Sequence, residues 1–217
     1  MIINSKSQLI SIIMPVFNGQ EYLSRAIDSV LDQSCEEWEL IAIDDGSKDN
    51  SLHILRYYQS LSSKIKVLYQ DHKNLPSARN KGIKYSTGSY ITFLDCDDEI
   101  TKDHLKYRLN FLKENPGVDF LHGGVKVIGN QFVPDKENPS RLIHLSDCII
   151  GASFFGKRKV FIELNGFRDI RYSEDSEFLE RVLSKYKVKK INSPTYIYYR
   201  NIPNSITNSM MRINCPA

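Results

Sequence analysis

Leu9-Ile10-Ser11-Ile12-Ile13-Met14 is apolar but for one serine, and Pro15 ends the run. A strand covered on one face alternates apolar with polar residues, whereas a run without alternation needs cover on both faces. Helices must therefore lie above and below the sheet, and the next segments supply them. Leu23, Ala26, Ile27, Val30 and Leu31 recur at helical spacing between Tyr22 and Gln33. Trp38-Glu39-Leu40-Ile41-Ala42-Ile43 reads as the second strand, closed by Asp44-Asp45-Gly46-Ser47, and a helix is expected from Asn50 to Leu61. A strand at Ile65 to Tyr69, a helix at Pro76 to Tyr85, a strand from Tyr90 and a helix at Lys102 to Glu114 continue the series. Strand and helix in alternation, with short connections, predict an α/β fold on a mostly parallel sheet flanked by helices.

After Asn115-Pro116-Gly117 the rhythm changes. Val118 to His122 and Val125 to Ile128 read as strands separated by Gly123-Gly124, and Pro134 to Arg141 as a polar loop. Gly151 to Gly156 reads as a strand and Lys157 to Leu164 as a short helix ended by Asn165-Gly166. Glu174 to Lys185 is helical, with Phe178, Leu179 and Val182 on one face, and Val188 to Ile191 and Tyr196 to Tyr199 read as closing strands. No composition shift marks a linker. The expectation is one domain in two halves, residues 8–117 and 118–207, the second a smaller mixed region, with 208–217 as a tail.

A formal charge of +3 over 217 residues, without a basic cluster, excludes nucleic acid as the expected partner. Cys35, Cys96, Cys148 and Cys215 have neither metal-binding nor redox spacing, which fits free thiols in a reducing compartment. No segment has the length of a membrane span, and the N-terminus lacks a basic stretch followed by an apolar signal core. The expected location is cytoplasmic, any contact with the inner face of a membrane being peripheral. The five histidines show no ligand spacing and are read as structural or exposed.

The polar signals stand where strands end, the place at which open parallel sheets bind ligands. Asn18 follows the first strand, Asp44-Asp45-Gly46-Ser47 the second, and Asp95-Cys96-Asp97-Asp98-Glu99 the fourth. If strand geometry persists, Asp95 and Asp97 point to one side, where like charges repel unless a hard divalent ion sits between them. Taken singly, each cluster reads as well as a turn or a helix cap.

Five segments in register carry more weight. They are Ser11 to Asn18, Asp44 to Asp49, Ala78-Arg79-Asn80-Lys81-Gly82-Ile83, Asp95-Cys96-Asp97, and Gly166-Phe167 leading to Glu174-Asp175. In this order they resemble the family-two glycosyltransferases, inverting enzymes of the GT-A fold, over Ser11 to about Thr207. The resemblance implies a UDP-sugar donor, a glycan or lipid-linked saccharide acceptor, and Mn²⁺ or Mg²⁺. Pro15, Val16, Phe17 and Asn18 would line the nucleotide pocket with Asp44, and Asp45 would recognise the base. Arg79 would lie near the nucleotide. Asp95 would meet the ribose and sugar, and Asp97 would hold the metal. Cys96, between them, belongs to the same loop and is read as a packing residue. Asp175 would be the general base. A role in surface polysaccharide synthesis follows from the same resemblance.

Two positions depart from the pattern. Asn74 stands where the family often has glycine, and asparagine tolerates a left-handed backbone there. Ile202 stands near a common histidine and cannot bind metal or phosphate, which leaves open a nucleotide-sugar-binding module without turnover. A nucleotidyltransferase is disfavoured, because no Gly-rich loop bearing Arg or Lys follows the first strand. The lack of spans and of a Gln-x-x-Arg-Trp motif argues against polymer synthesis.

Overall fold

The computed structural model describes residues 8–202 except 136, 137, 139, 171 and 172. The tail at 208–217, Cys215 and Tyr172 lie outside the described residues. The first half follows the expected series: β1 Ile10–Val16, α1 Leu23–Leu31, β2 Trp38–Asp44, α2 Ser51–Leu61, β3 Ile65–Tyr69, α3 Leu75–Tyr85 and β4 Tyr90–Phe93. After these come β5 Glu99–Ile100, α4 His104–Glu114, β6 Phe120–Ile128, β7 Phe132–Pro134 and β8 Leu142–His144. The chain continues with β9 Phe155–Lys157, α5 Arg158–Glu163, α6 Glu174–Lys185 and β10 Val188–Tyr199.

An eight-stranded sheet in the order β3-β2-β1-β4-β9-β6-β10-β5 runs through both halves, and β7-β8 form a separate hairpin. β1 pairs in parallel with β2 and β4, and β2 with β3. β9 is antiparallel to both β4 and β6, so it joins the first half of the sheet to the second. As the unbroken apolar run requires, β1 is buried on both faces. Ile10, Ile12 and Met14 pack with Leu23, Ile27, Leu55 and Leu105 from α1, α2 and α4. Ile13, on the opposite face, packs with Ala78, Phe161 and Phe178 from α3, α5 and α6.

Several expected elements differ. The fourth strand ends at Phe93, so Asp95 and Asp97 lie in a turn rather than on a strand. The cause is Asp98, which is drawn into the core. Its carboxylate accepts hydrogen bonds from Tyr196 Oη at 2.7 Å and the Tyr199 backbone N–H at 2.8 Å, and this turns the chain into the short β5. The two strands expected around Gly123-Gly124 are one, β6, both glycines having left-handed φ (86° and 68°). The two closing strands are likewise one, β10, with a register shift between Ile191 and Tyr196 where it passes those glycines. Gly151–Ser153 is a 3₁₀ turn, and strand begins only at Phe155. Pro134, expected to open a polar loop, instead closes β7, which pairs with β8 in an unexpected hairpin.

Candidate active site

The carboxyl ends of β3, β2, β1 and β4 stand side by side, and each delivers residues to one cleft. His72, Lys73 and Asn74 follow β3, Asp45 follows β2, Pro15, Val16 and Phe17 close β1, and Asp95, Cys96 and Asp97 follow β4. The far wall comes from the second half, with Val133 and Ile143 of the hairpin, Gly151, and Glu174, Asp175 and Leu179 of α6. The volume is about 1340 Å³. That exceeds what one small ligand needs, which leaves space for a second substrate.

The acidic loop is held from behind. The Tyr196 hydroxyl that donates to Asp98 also accepts the Asp95 backbone N–H at 3.2 Å. Arg25 of α1 donates from Nη2 to the Asp97 carbonyl at 2.7 Å and pairs through Nε with Glu99 at 2.9 Å. Cys96 packs against Gly19, where an added Cβ would come within 2.8 Å of its sulfur. The Asp95 and Asp97 side chains are left facing the cleft. Burial, and next the charge of Asp95, push the Asp97 carboxyl up to about 6.

Arg79 of α3 is the hinge of the site. It is almost wholly buried, lies over the rings of Phe93 and Phe167, and carries a carboxylate on each arm. Nη2 donates to Asp95 at 3.2 Å and Nη1 to Glu174 at 3.0 Å. Burial opposes its charge, but Asp95, Glu174 and Asp175 outweigh that and raise its pKa further. One guanidinium thus fixes the donor-side loop relative to the start of α6.

Asp175 lies in the first turn of α6, which is entered through Ser173 in a left-handed conformation (φ 65°). A non-glycine residue held there is strained by roughly 1 kcal/mol or more. Asp175 Oδ1 accepts the Ser176 N–H at 2.7 Å and Oδ2 the Gly151 N–H at 3.0 Å. A helix N-terminus favours an ionised carboxylate, but burial and next the charge of Glu174, against the opposing pull of Arg79, push the group up to about 6. A carboxylate with raised proton affinity, fixed by two backbone donors, is equipped to take up a proton.

Asp45 is buried and crowded with donors. Oδ1 accepts from Gln70 Nε2 at 2.6 Å and from the Lys73 N–H at 3.0 Å, and His72 Nδ1 is 3.0 Å from Oδ2. His72 is exposed, as expected, but it also lines the cleft and stacks on Phe17 with ring centroids 4.0 Å apart. Only its place after β3, next to an acidic loop after β2, could have signalled this from sequence.

Two candidates stand outside the cleft lining. Asp44 is 0 % exposed, and by strand alternation it shares the face of Leu40 and Ala42, away from Asp45. Asn18 instead ties two loops together, its N–H donating to Ser47 Oγ at 3.0 Å and its Oδ1 accepting the Lys48 N–H at 2.8 Å. Asn74 is not left-handed. Its φ is −177°, an extended conformation, and its side chain caps α3 by accepting the Ser77 N–H at 2.9 Å. Asn74 Nδ2 also donates to Asp169 at 2.7 Å, a second tie between the halves. Half-buried Ile202 is not among the lining residues.

Among the described residues no three His, Cys, Asp or Glu side chains come together to hold a metal. Asp95 and Asp97 nevertheless suit a hard divalent ion that takes its remaining ligands from water and a phosphate-bearing substrate. The raised Asp97 pKa marks a carboxylate that a cation would relieve.

A family model for glycosyl transferase family 2 matches residues 11–200. The uncharacterized glycosyltransferase EpsJ of Bacillus subtilis (strain 168) is 31% identical over 218 residues, covering 92% of this chain and 63% of that protein. The UDP-Glc:alpha-D-GlcNAc-diphosphoundecaprenol beta-1,3-glucosyltransferase WfgD of Escherichia coli is 34% identical over 148 residues, 66% of this chain and 57% of its own length. The chain thus spans less than two thirds of the length of these relatives. Among solved structures, S. aureus TarS 1-349 in complex with UDP superposes with a TM-score of 0.75 at 20% identity, covering 94% of this chain and 64% of that one. The Pyrobaculum calidifontis mannosyltransferase PcManGT, in complex with GDP-Man and Mn²⁺, gives 0.71 at 17% identity, covering 92% and 59%. The likeness of these glycosyltransferases shows the GT-A fold, and with five motifs in register within the matched span, the chain belongs to glycosyl transferase family 2.

Proposed function

We propose that this chain transfers a sugar from a UDP-sugar, with inversion and with a divalent ion, to a hydroxyl of a glycan or lipid-linked saccharide in surface polysaccharide synthesis. The observation that carries the proposal is the Arg79 bridge, which ties Asp95 to Glu174, the neighbour of Asp175, within one cleft. Neighbouring strands lie about 4.8 Å apart, so the path from β3 to β4 is about 14 Å, which suits a nucleoside diphosphate laid along the sheet edge. The base would lie beside Asp45 and Phe17 and the ribose over Pro15 and Val16, with the diphosphate at Asp95 and Asp97. A divalent ion held by Asp97 would offset the charge of the departing diphosphate. Asp95, kept by Arg79 and by its own backbone bond to Tyr196, orients the sugar. Asp175 takes the proton of the acceptor hydroxyl as it attacks from the face opposite the diphosphate. WfgD, named for a UDP-Glc donor and a lipid-diphosphate acceptor, supports donor and acceptor class.

A nucleotide-sugar-binding module without turnover is the second reading, favoured only by Ile202. Release of UDP from a panel of UDP-sugars in the presence of Mn²⁺ separates the two. Turnover with one sugar supports the transferase, whereas tight donor binding without UDP release over many hours supports the module.

A further inference from the structure

The loops after three adjacent strands carry Phe17, Asp45 and His72, and His72 touches both of the others. His72 Nδ1 lies 3.0 Å from Asp45 Oδ2 and 3.1 Å from the Asp45 carbonyl, so with two acceptors before it this nitrogen carries the hydrogen. The imidazole lies nearly parallel to the Phe17 ring, 19° between planes. Both rings remain open to the cleft, Phe17 being 43 % exposed and the His72 side chain 53 %. The loop carrying His72 is fixed, since Gly46 is left-handed (φ 73°) and an added Cβ there would meet the His72 backbone nitrogen at 2.7 Å. This is an aromatic pair beside a carboxylate, a surface on which a flat heterocycle can stack while its edge meets a hydrogen-bond acceptor.

Asp45 has its own arithmetic. An ionised carboxylate offers about four acceptor positions. Gln70 and Lys73 take two and His72 a third, which leaves one. A base that brings one ring N–H to that position is matched. A base that presents a lone pair there leaves a buried carboxylate facing an acceptor, and is rejected.

We propose that His72 is a specificity-determining residue of the nucleotide site: with Phe17 it forms the stacking surface for the base, and by occupying Asp45 Oδ2 it leaves room for a single N–H. The proposal rests on the UDP-sugar reading above and deepens it. It is tested by calorimetric titration of UDP, CDP and GDP, with Mn²⁺, into the native chain, His72→Ala and His72→Phe. His72→Ala loses both stacking and hydrogen bond, and UDP affinity falls about tenfold or more. His72→Phe keeps the stacking, so most of the UDP affinity returns. It also frees an acceptor position for the cytosine amino group, and the preference for UDP over CDP narrows about tenfold. Both variants retain the native melting temperature within a few degrees. UDP affinity within twofold of native in both variants, with unchanged ratios among the three nucleotides, overturns the proposal. So does an equal weakening of all three, which a merely structural role gives. A native chain that binds none of the three refutes the UDP-sugar reading itself, and the two failures are thereby told apart.

Discussion

Replacing Asp175 by asparagine separates chemistry from folding, because two opposing effects on stability nearly cancel. Asp175 is raised from 3.8 to about 6, chiefly by burial and then by Glu174. Near pH 7 it is ionised in folded and unfolded chains alike, so the fold carries an unfavourable charge costing about 3 kcal/mol. The cost disappears as pH falls and the folded group takes up its proton. Asparagine removes that charge. It also has a single carbonyl oxygen, whereas Asp175 accepts from both Ser176 N–H and Gly151 N–H, so its NH₂ must face one of these donors. Losing a charge-assisted hydrogen bond costs about 1.5–3 kcal/mol. The net change is within about 1–2 kcal/mol, a shift of a few degrees in melting temperature for a chain of this size. Transfer, read as UDP release, should fall by a factor of about 100 or more, with UDP affinity unchanged. Turnover within a few-fold of native would remove Asp175 as the base and make Glu174 the first replacement. A melting temperature lower by more than about 10 °C would show the stability arithmetic to be wrong.

Other outcomes follow from the same contacts. Because Asp175 must be unprotonated to act, kcat/KM should rise about tenfold per pH unit up to about pH 6 and level off above it; a flat profile down to pH 4.5 contradicts this. Arg79→Met leaves Asp95 and Glu174 facing each other without the cation, and should cost about 2–4 kcal/mol, discounted for the partial exposure of both carboxylates. A melting temperature within 2 °C of native would count against the bridge. For Glu39 burial alone would raise the pKa, yet Lys66, Ser11 and Thr87 hold it at about 2. A lowered folded pKa gives stability that is present above about 4.5 and lost as pH falls toward 2. Glu39→Gln should therefore flatten the loss of melting temperature between pH 5 and 3, and an unchanged slope would assign acid sensitivity elsewhere.

The first half of the fold was legible because its strands are short and mostly apolar, its helices repeat at 3.6 and the two alternate, signals that survive without knowledge of tertiary contacts. In the second half α5 and α6 stand where expected, but the strand boundaries were not legible. Gly123 and Gly124 look like a break but sit inside β6 with left-handed φ, accommodated by the register shift in β10, a strand more than sixty residues away. The end of β4 depended on Asp98 reaching Tyr196, again a distant partner. In the site, the candidate site residues reached one cleft except Asp44 and Asn18, whose sequence neighbours face the cleft while they face the core and an adjoining loop. Strand alternation at the end of β2 could have separated Asp44 from Asp45. Nothing local distinguished His72 from the other histidines, since its meaning lies in Phe17 and Asp45, which come from other strands.

The central claim is that the cleft holds UDP through a divalent ion at Asp97. Calorimetric titration of UDP into the native chain and into Asp97→Ala, each with Mn²⁺ and with chelator, tests it most directly. In the native chain affinity should rise at least tenfold with Mn²⁺; in Asp97→Ala that rise should vanish, while the weaker metal-free affinity stays the same. Equal UDP affinity in the native chain with and without Mn²⁺, or a rise that survives the substitution, would contradict the account.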